Sequence, residues 1–385
     1  MTNPNILFLQ VTNPGAYPPL IHAGSILAER GWKVTFLTSP SLQSSLTLPQ
    51  HPNIVDERTT TRQDFTVSPS TYFAYCLAAF RLALKVRPDV IYVSDALGAA
   101  PGLLANMFGK GKLVYHEHDS PNNQRDLHPI VQWCRNQLFQ AARLVIFPNA
   151  QRAEHARAEV GFDREKLKII WNLPRRNEVV SALDDNELPR PFTLYYHGSI
   201  TPDRIPLALV DALKCFAGRV RLVIAGYESG SSIGYVDQLL AAVAGTPADG
   251  CIRYLGQVPR EVLFTTARDS DLGLALMPMH SDDINMAHMA GASNKAFEYM
   301  ASGLMPLVSN LPEWVDLFVT PKFAVAADPS SAESLYTAID AAINESQGDP
   351  AAKDRRRAKV SAEWNYDEVF CTQILPVLIA SIQRN

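Results

Sequence analysis

Two patterns alternate along this chain. Short apolar runs such as Ile6-Leu7-Phe8-Leu9 and Val90-Ile91-Tyr92-Val93 are followed by longer stretches whose apolar residues recur every three or four positions. A short run without polar alternation suits a strand buried on both faces of a parallel sheet, and the longer repeat suits an amphipathic helix covering it. In the first half the pattern predicts strands over 5–11, 33–37, 89–93, 112–115, 144–147 and 167–170. Helices are expected over 19–30, 70–86, 96–108, 128–142 and 150–160. A polar, proline-bounded stretch at 174–191, with Asp184-Asp185-Asn186-Glu187 inside it, then interrupts the alternation and predicts a linker.

The alternation restarts after the linker. Strands are expected over 192–196, 220–225, 251–254, 272–277 and 304–309, with helices over 206–216, 234–243 and 259–266. Two last helices are expected near 332–362 and 367–382. Strand–helix alternation of this kind defines an α/β protein with two doubly wound parallel-sheet domains. The expected boundaries are 1–174 for the first domain, 175–191 for the linker and 192–363 for the second. Ligands of such sheets sit outside the carboxyl ends of the strands.

Composition agrees with this architecture. With 385 residues, 47% hydrophobic and 19% charged, the chain is too long for one ordinary core and too apolar to be disordered. It holds no apolar run of about 18 residues that would span a membrane. Residues 1–10 read as a first strand, not a signal peptide. Five scattered cysteines without metal or redox spacing suit reduced thiols in a cytoplasmic protein. Net charge is −4, unevenly divided. Residues 1–180 carry 19 Lys and Arg against 14 Asp and Glu, and the remainder carries 16 against 25. The basic first half suits peripheral contact with an anionic membrane or a phosphorylated acceptor, and ordinary surface scatter accounts for it equally well. No basic, aromatic-interleaved surface points to nucleic acid.

The densest chemistry lies at 293–309, where a short helix places Lys295 and Glu298 on adjacent turns before Gly303 and an apolar strand. A polar loop, 280–292, precedes it. A helix N-terminus with a cation and a carboxylate suits a ligand carrying phosphate and hydroxyls, as a sugar nucleotide does. The stretch Ser293-Asn294-Lys295-Ala296-Phe297-Glu298-Tyr299-Met300-Ala301-Ser302-Gly303 resembles the C-terminal signature of retaining GT-B glycosyltransferases of the "glycosyl transferases group one" type. Met305-Pro306-Leu307 departs from it, its proline falling one position late.

The resemblance implies two Rossmann-like domains facing a central cleft, with a last helix, 364–385, packing back on the first. The first domain is then the acceptor side and the second binds the nucleotide sugar. It implies transfer of a sugar from a nucleotide-diphosphate donor to an acceptor hydroxyl, in surface polysaccharide or glycoconjugate synthesis, without a cofactor or metal. The acceptor stays open between a glycan, a lipid-linked species and a small molecule. Donor-binding candidates are Gly15, Gly198, Arg204, Asn294, Lys295 and Glu298. The arginine would hold the diphosphate and Glu298 the ribose hydroxyls, and each is expected to tolerate alanine without loss of the fold. Asp282, Asp283 and Asn285 are candidates for the sugar-wrapping loop.

In the first domain, Tyr115-His116-Glu117-His118-Asp119 is similar to the family stretch that brings a histidine to the sugar, which makes His118 and Asp119 the catalytic candidates. Asp95 reads as an N-cap for the helix that follows it. Neither Asp269-Ser270-Asp271 nor His116-Glu117-His118 is assigned a metal. Ala290 and Ser199 stand where the family has its first glutamate and first basic residue. They keep open a non-catalytic GT-B partner protein and, more remotely, a GT-B sugar-nucleotide epimerase.

Overall fold

The structure, a computed structural model, describes residues 3–39, 48–59, 67–108, 111–121, 127–181, 190–228, 230–349 and 351–383. The Asp184-Asp185-Asn186-Glu187 run lies outside them. The chain divides into two compact units, Met1–Asn172 with Tyr366–Asn385, and Leu173–Asn365.

The first unit is built on seven parallel strands: β1 (Asn5–Leu9), β2 (Lys33–Thr38), β3 (Ile54–Arg58), β4 (Val90–Ser94), β5 (Lys112–His116), β6 (Leu144–Phe147) and β7 (Leu167–Ile169). Their order is β3-β2-β1-β4-β5-β6-β7, so the direction of winding reverses between β1 and β4. Successive side chains point to opposite faces. Leu7 and Leu9 join a core with Val93, Tyr115, Tyr75 and Leu138, while Phe8 stacks against Phe36 and tilts against Tyr92 with ring centroids 4.7 Å away in each case. Strand β3 was not expected. It carries Asp56, Glu57 and Arg58 and pairs on one side only, so it lacks the apolar run of a central strand. The last segment, from Tyr366, belongs to this unit, and the Tyr366 ring stands edge-on to His22 of the helix Pro18–Glu29.

The second unit holds six parallel strands: β8 (Phe192–Ile200), β9 (Val220–Glu228), β10 (Ile252–Tyr254), β11 (Leu272–Ala275), β12 (Met305–Ser309) and β13 (Val325–Ala327). Their order, β10-β9-β8-β11-β12-β13, reverses between β8 and β11. The short edge strand β13 was also unexpected. Strands β8 and β9 run past their expected ends because Gly198 lies opposite Gly226, and a Cβ on Gly226 would sit 1.9 Å from the Gly198 carbonyl oxygen. The shifted proline fits because pairing with β13 begins at Leu307, so Pro306 precedes the residues whose N–H groups that side uses. The expected helix 332–362 is two helices, Ala332–Gly348 and Ala352–Ala362, with non-helical backbone (φ −141°, ψ 81°) at Asp349, the residue before Pro350. Of the expected linker, the described residues up to Ser181 pack on this unit. The Val180 N–H donates to the Ala301 carbonyl at 3.0 Å.

Candidate functional site

In the second unit the predicted residues gather at the carboxyl end of β8, beside the strand-order reversal. The helix Lys295–Ala301 is buried along its whole length. The Tyr299 hydroxyl ties it to the sheet, accepting from the His197 N–H at 3.3 Å and donating to the Leu274 carbonyl at 3.1 Å. One residue earlier, Glu298 turns its carboxylate toward β8. Its Oε2 lies 2.7 Å from Nε2 of His197, and its Oε1 accepts from Arg260 at 2.8 Å. Arg260 also holds both oxygens of Glu178, at 2.5 and 3.1 Å.

Burial alone would raise the pKa of Glu298. Arg260, and then His197, overturn that and hold the carboxyl at about 2, so it is ionised. Burial lowers the pKa of His197 despite Glu298 beside it, so the ring is neutral at neutral pH. A neutral ring against an ionised carboxylate carries its proton on Nε2, and among the described residues the buried Nδ1 has no hydrogen-bond partner.

Lys295 lies on the same side of the sheet end. A Cβ on Gly198 would fall 3.1 Å from its Cε and 3.3 Å from its Nζ, so glycine there, at φ 118°, leaves the room the ammonium uses. The Nζ is 5.6 Å from the centre of the Tyr196 ring. Burial first, then the nearby Arg204 charge, bring the Lys295 pKa down to about 7, with Glu298 pulling the other way. The Arg204 guanidinium contacts the sulfurs of Met277 and Met286. Gly198, Arg204, Lys295 and Glu298 thus form one cluster.

The loop candidates divide. Asp283 caps the short helix Ile284–Ala287, its Oδ1 accepting the N–H groups of Asn285 at 2.7 Å and Met286 at 3.4 Å. That capping role occupies the carboxylate expected to meet a sugar. Asp282 is exposed and Asn285 half-buried. Asn294 opens the signature helix without a side-chain capping bond. Arg260, Glu178 and the side chain of His197 were not singled out from sequence. The available signal was Arg260 itself, the first residue of the helix after β10, since a buried Glu298 requires a cation. Asp271 of the Asp-x-Asp triplet is held by both arms of Arg190, at 2.6 and 2.9 Å, and caps the Thr193 N–H. Among the described residues no group of three or more His, Cys, Asp or Glu is placed to hold a metal ion.

In the first unit a second cluster forms at the end of β5. His116 and His118 share one face with ring centroids 3.7 Å apart, and Glu117 points to the other. The Tyr92 hydroxyl meets Nδ1 of His116 at 2.7 Å. Among the described residues both ring nitrogens of the buried His118 lack a hydrogen-bond partner. Burial, then Arg152, lower its pKa to about 3, so the ring is neutral. Glu117 is fully buried and bidentate with Arg135, at 2.7 and 2.8 Å, in the core under the sheet. Asp119 projects outward, its side chain 69% exposed and its Oδ1 3.4 Å from Arg152.

Asp95 does not cap its own helix. Its Oδ1 accepts the N–H groups of His118 at 2.8 Å and Asp119 at 3.3 Å. It adopts φ 57° to do so, a conformation few residues other than glycine take. Burial, then Asp119, raise its pKa to about 8. Gly15 lies in the Pro14–Ala16 turn after β1, its N–H donating to Asn13 at 2.9 Å. Tyr17, just beyond, tilts against His118 with centroids 5.5 Å apart, so the turn after β1 and the end of β5 are neighbours.

Two parallel doubly wound sheets, each with a polar cluster at the carboxyl ends of its strands, define the GT-B class. Residues 23–173 match the family described as Glycosyltransferase Family 4, and the resemblance to group-one GT-B glycosyltransferases holds. Sucrose-phosphate synthase from Thermosynechococcus elongatus is similar over 98% of this chain and 100% of its own, with TM-score 0.76 and 15% identity. HepE from Anabaena, solved in complex with UDP and glucose, is similar over 98% and 100%, with TM-score 0.71 and 17% identity. The catalytic domain of starch synthase IV from Arabidopsis thaliana, bound to ADP and acarbose, covers 100% of both chains at TM-score 0.70 and 12% identity. At these identities the structural likeness carries the fold. No curated protein matches the sequence.

Proposed function

We propose that this chain is a retaining glycosyltransferase that transfers a sugar from a nucleotide-diphosphate donor to an acceptor hydroxyl. The observation that carries it is the cluster of Lys295, Arg204 and Glu298 around Gly198, where the second sheet reverses its strand order. Two cations beside a glycine suit a diphosphate that must be bound closely and stabilised as it leaves. An ionised carboxylate one turn from Lys295 suits ribose hydroxyls. HepE carries UDP and glucose in its crystals, which supports a nucleotide sugar as the co-substrate here. In this reading Arg204 and Lys295 supply the charge that a divalent ion would otherwise supply. The departing diphosphate then stays on the sugar face that the acceptor attacks. His118, neutral with two ring nitrogens unpaired among the described residues, is suited to hydrogen-bond the sugar or acceptor.

A thermal-shift series with UDP, GDP, ADP, CMP and dTDP, followed by sugar-transfer and donor-hydrolysis assays with the base that binds, tests this. A ligand at a hundredfold excess over its Kd stabilises by about 2.7 kcal/mol, which raises the midpoint for one base. The second reading, a non-catalytic GT-B protein, rests on Ala290 in place of the family's first glutamate. It becomes the leading one if a nucleotide binds and no sugar is transferred or released.

A further inference from the structure

A carboxylate offers about four acceptor positions, two on each oxygen. Among the described residues Glu298 fills one at each oxygen, Oε1 from Arg260 at 2.8 Å and Oε2 from His197 at 2.7 Å. One position at each oxygen is left, the number that the two hydroxyls of a ribose can use. That count holds only while Arg260 reaches Glu298 with a single N–H. A guanidinium and a carboxylate meet most strongly edge to edge, through two parallel bonds.

Glu178 stands in the way of that arrangement. It takes an edge of Arg260 itself, with Nε 2.5 Å from its Oε1 and Nη2 3.1 Å from its Oε2, so that Nη2 alone leans on to Glu298. The guanidinium also lies over the Phe264 ring, 5.0 Å from its centre, an attraction that does not choose which edge faces which carboxylate. The Arg260 side chain is 32% exposed and has room to turn, whereas Glu298, at 3%, does not. Glu178 is fixed by its own segment. Its Oε2 accepts the Arg175 N–H at 2.7 Å, which closes the turn Arg176–Glu178. Two residues further on, the Val180 N–H holds the segment to Ala301, the last residue of the helix that carries Glu298.

We propose that Glu178 is a positioning residue for the donor, a role that rests on the donor reading of this site. By occupying one edge of Arg260 it keeps Glu298 singly bonded to that arginine and open to two ribose hydroxyls. Without its charge, Arg260 turns an edge to Glu298 and takes a second acceptor position. The ribose subsite closes while the Arg260–Glu298 ion pair survives. Glu178 acts through Arg260 and not on the donor itself.

The test compares UDP, GDP and ADP with their 2′-deoxy and 3′-deoxy forms by calorimetry on the full chain. Wild type is set beside Glu178→Gln, which has one acceptor oxygen where glutamate has two. In the wild type the nucleotide that binds is expected to be roughly tenfold tighter than its deoxy forms, as for a hydrogen bond to a charged group. Glu178→Gln should bring that ratio to about one, by weakening the ribose form and sparing the deoxy forms. Adding Arg260→Lys, whose ammonium cannot grip two oxygens in parallel, should restore part of the ratio. An unchanged ratio in Glu178→Gln, or equal weakening of ribose and deoxy forms, makes Glu178 merely structural and overturns the proposal while the donor reading stands. So does a wild type that binds a nucleotide without telling ribose from deoxyribose. A folded wild type that binds none of the three removes the donor reading, and the role of Glu178 falls with it.

Discussion

The two sheet-end clusters solve the problem of buried polar groups in opposite ways. In the second unit Glu298 lies between Arg260 and His197, with Glu178 also bonded to Arg260, so its carboxylate is charged and paired. In the first unit the paired His116 and His118 rings are neutral, while the charges of Glu117 and Arg135 meet on the other face, and among the described residues His118 has no hydrogen-bond partner for either ring nitrogen. A buried charge persists only where opposite charge surrounds it, whereas a buried neutral ring can be left unpaired at lower cost. The charged cluster is therefore tied into the fold by its own ion pairs, whereas the neutral His118 ring leaves its hydrogen-bonding capacity unused among the described residues.

Breaking the charged cluster gives the largest expected effect. Glu298→Ala leaves Arg260 and His197 facing a gap and should cost about 3–5 kcal/mol of stability, read from denaturant unfolding. The same measurement tests the sequence-based expectation that alanine there leaves the fold intact. If Glu298→Ala unfolds at the wild-type denaturant concentration, the network contributes nothing and the contrast fails.

Acid unfolding separates the two clusters next. The His118 pKa is depressed in the fold, to about 3 from an ordinary value near 6.5, so the unfolded chain takes the proton first. Its contribution is complete above about pH 6.5 and is lost as pH falls toward 3. Glu298, depressed to about 2 from about 4.5, contributes fully above about pH 4.5 and loses that contribution as pH falls toward 2. His118→Gln should flatten the stability–pH curve between about 6.5 and 4.5, and Glu298→Gln should flatten it below about 4.5. The same curvature in wild type and both variants would show that neither shift exists.

Lys295 gives a smaller effect, on binding. With its pKa lowered to about 7, the ammonium is present below that pH and lost above it. Nucleotide diphosphate affinity should fall as pH rises through 7, with proton uptake on binding visible by calorimetry in buffers of different ionisation enthalpy. Lys295→Met should abolish the uptake. The smallest effect is at Asp95. Asp95→Asn keeps the acceptor oxygen and should change stability by about 1 kcal/mol or less, whereas Asp95→Ala leaves two N–H groups unsatisfied and should cost about 1–3 kcal/mol. Transfer should fall only with the alanine, because it releases the backbone that places His118.

Much of this was legible in the residues. The central strands are continuous apolar runs, and the reversal of each sheet lies between such strands, so the two-sheet architecture followed from periodicity. The edge strands β3 and β13 did not: an edge is half solvated, and Asp56, Glu57 and Arg58 cut short the apolar run of β3, while β13 is a run of only three residues. Lys295 and Glu298 were legible because they lie three apart on one helix. Arg260 was not, since it is 38 residues from Glu298 and meets it only when the helix after β10 packs across the sheet onto β8 and the signature helix. Asp95 was misread for a related reason: an Asp before a helix normally caps it, and the competing N–H groups at the end of β5 come from 23 residues away.

The sequence by itself determined the period of every central element, the glycines that allow β8 and β9 to approach, and the charged residues available for a site. These follow from local sterics and burial, which depend on neighbours along the chain. Only the tertiary structure decided which charges are paired, which histidine nitrogens go unpaired and which carboxylate caps which N–H. Electrostatics and hydrogen bonding act between atoms a few ångströms apart, whatever their separation along the chain, and the packing of the strands sets those distances.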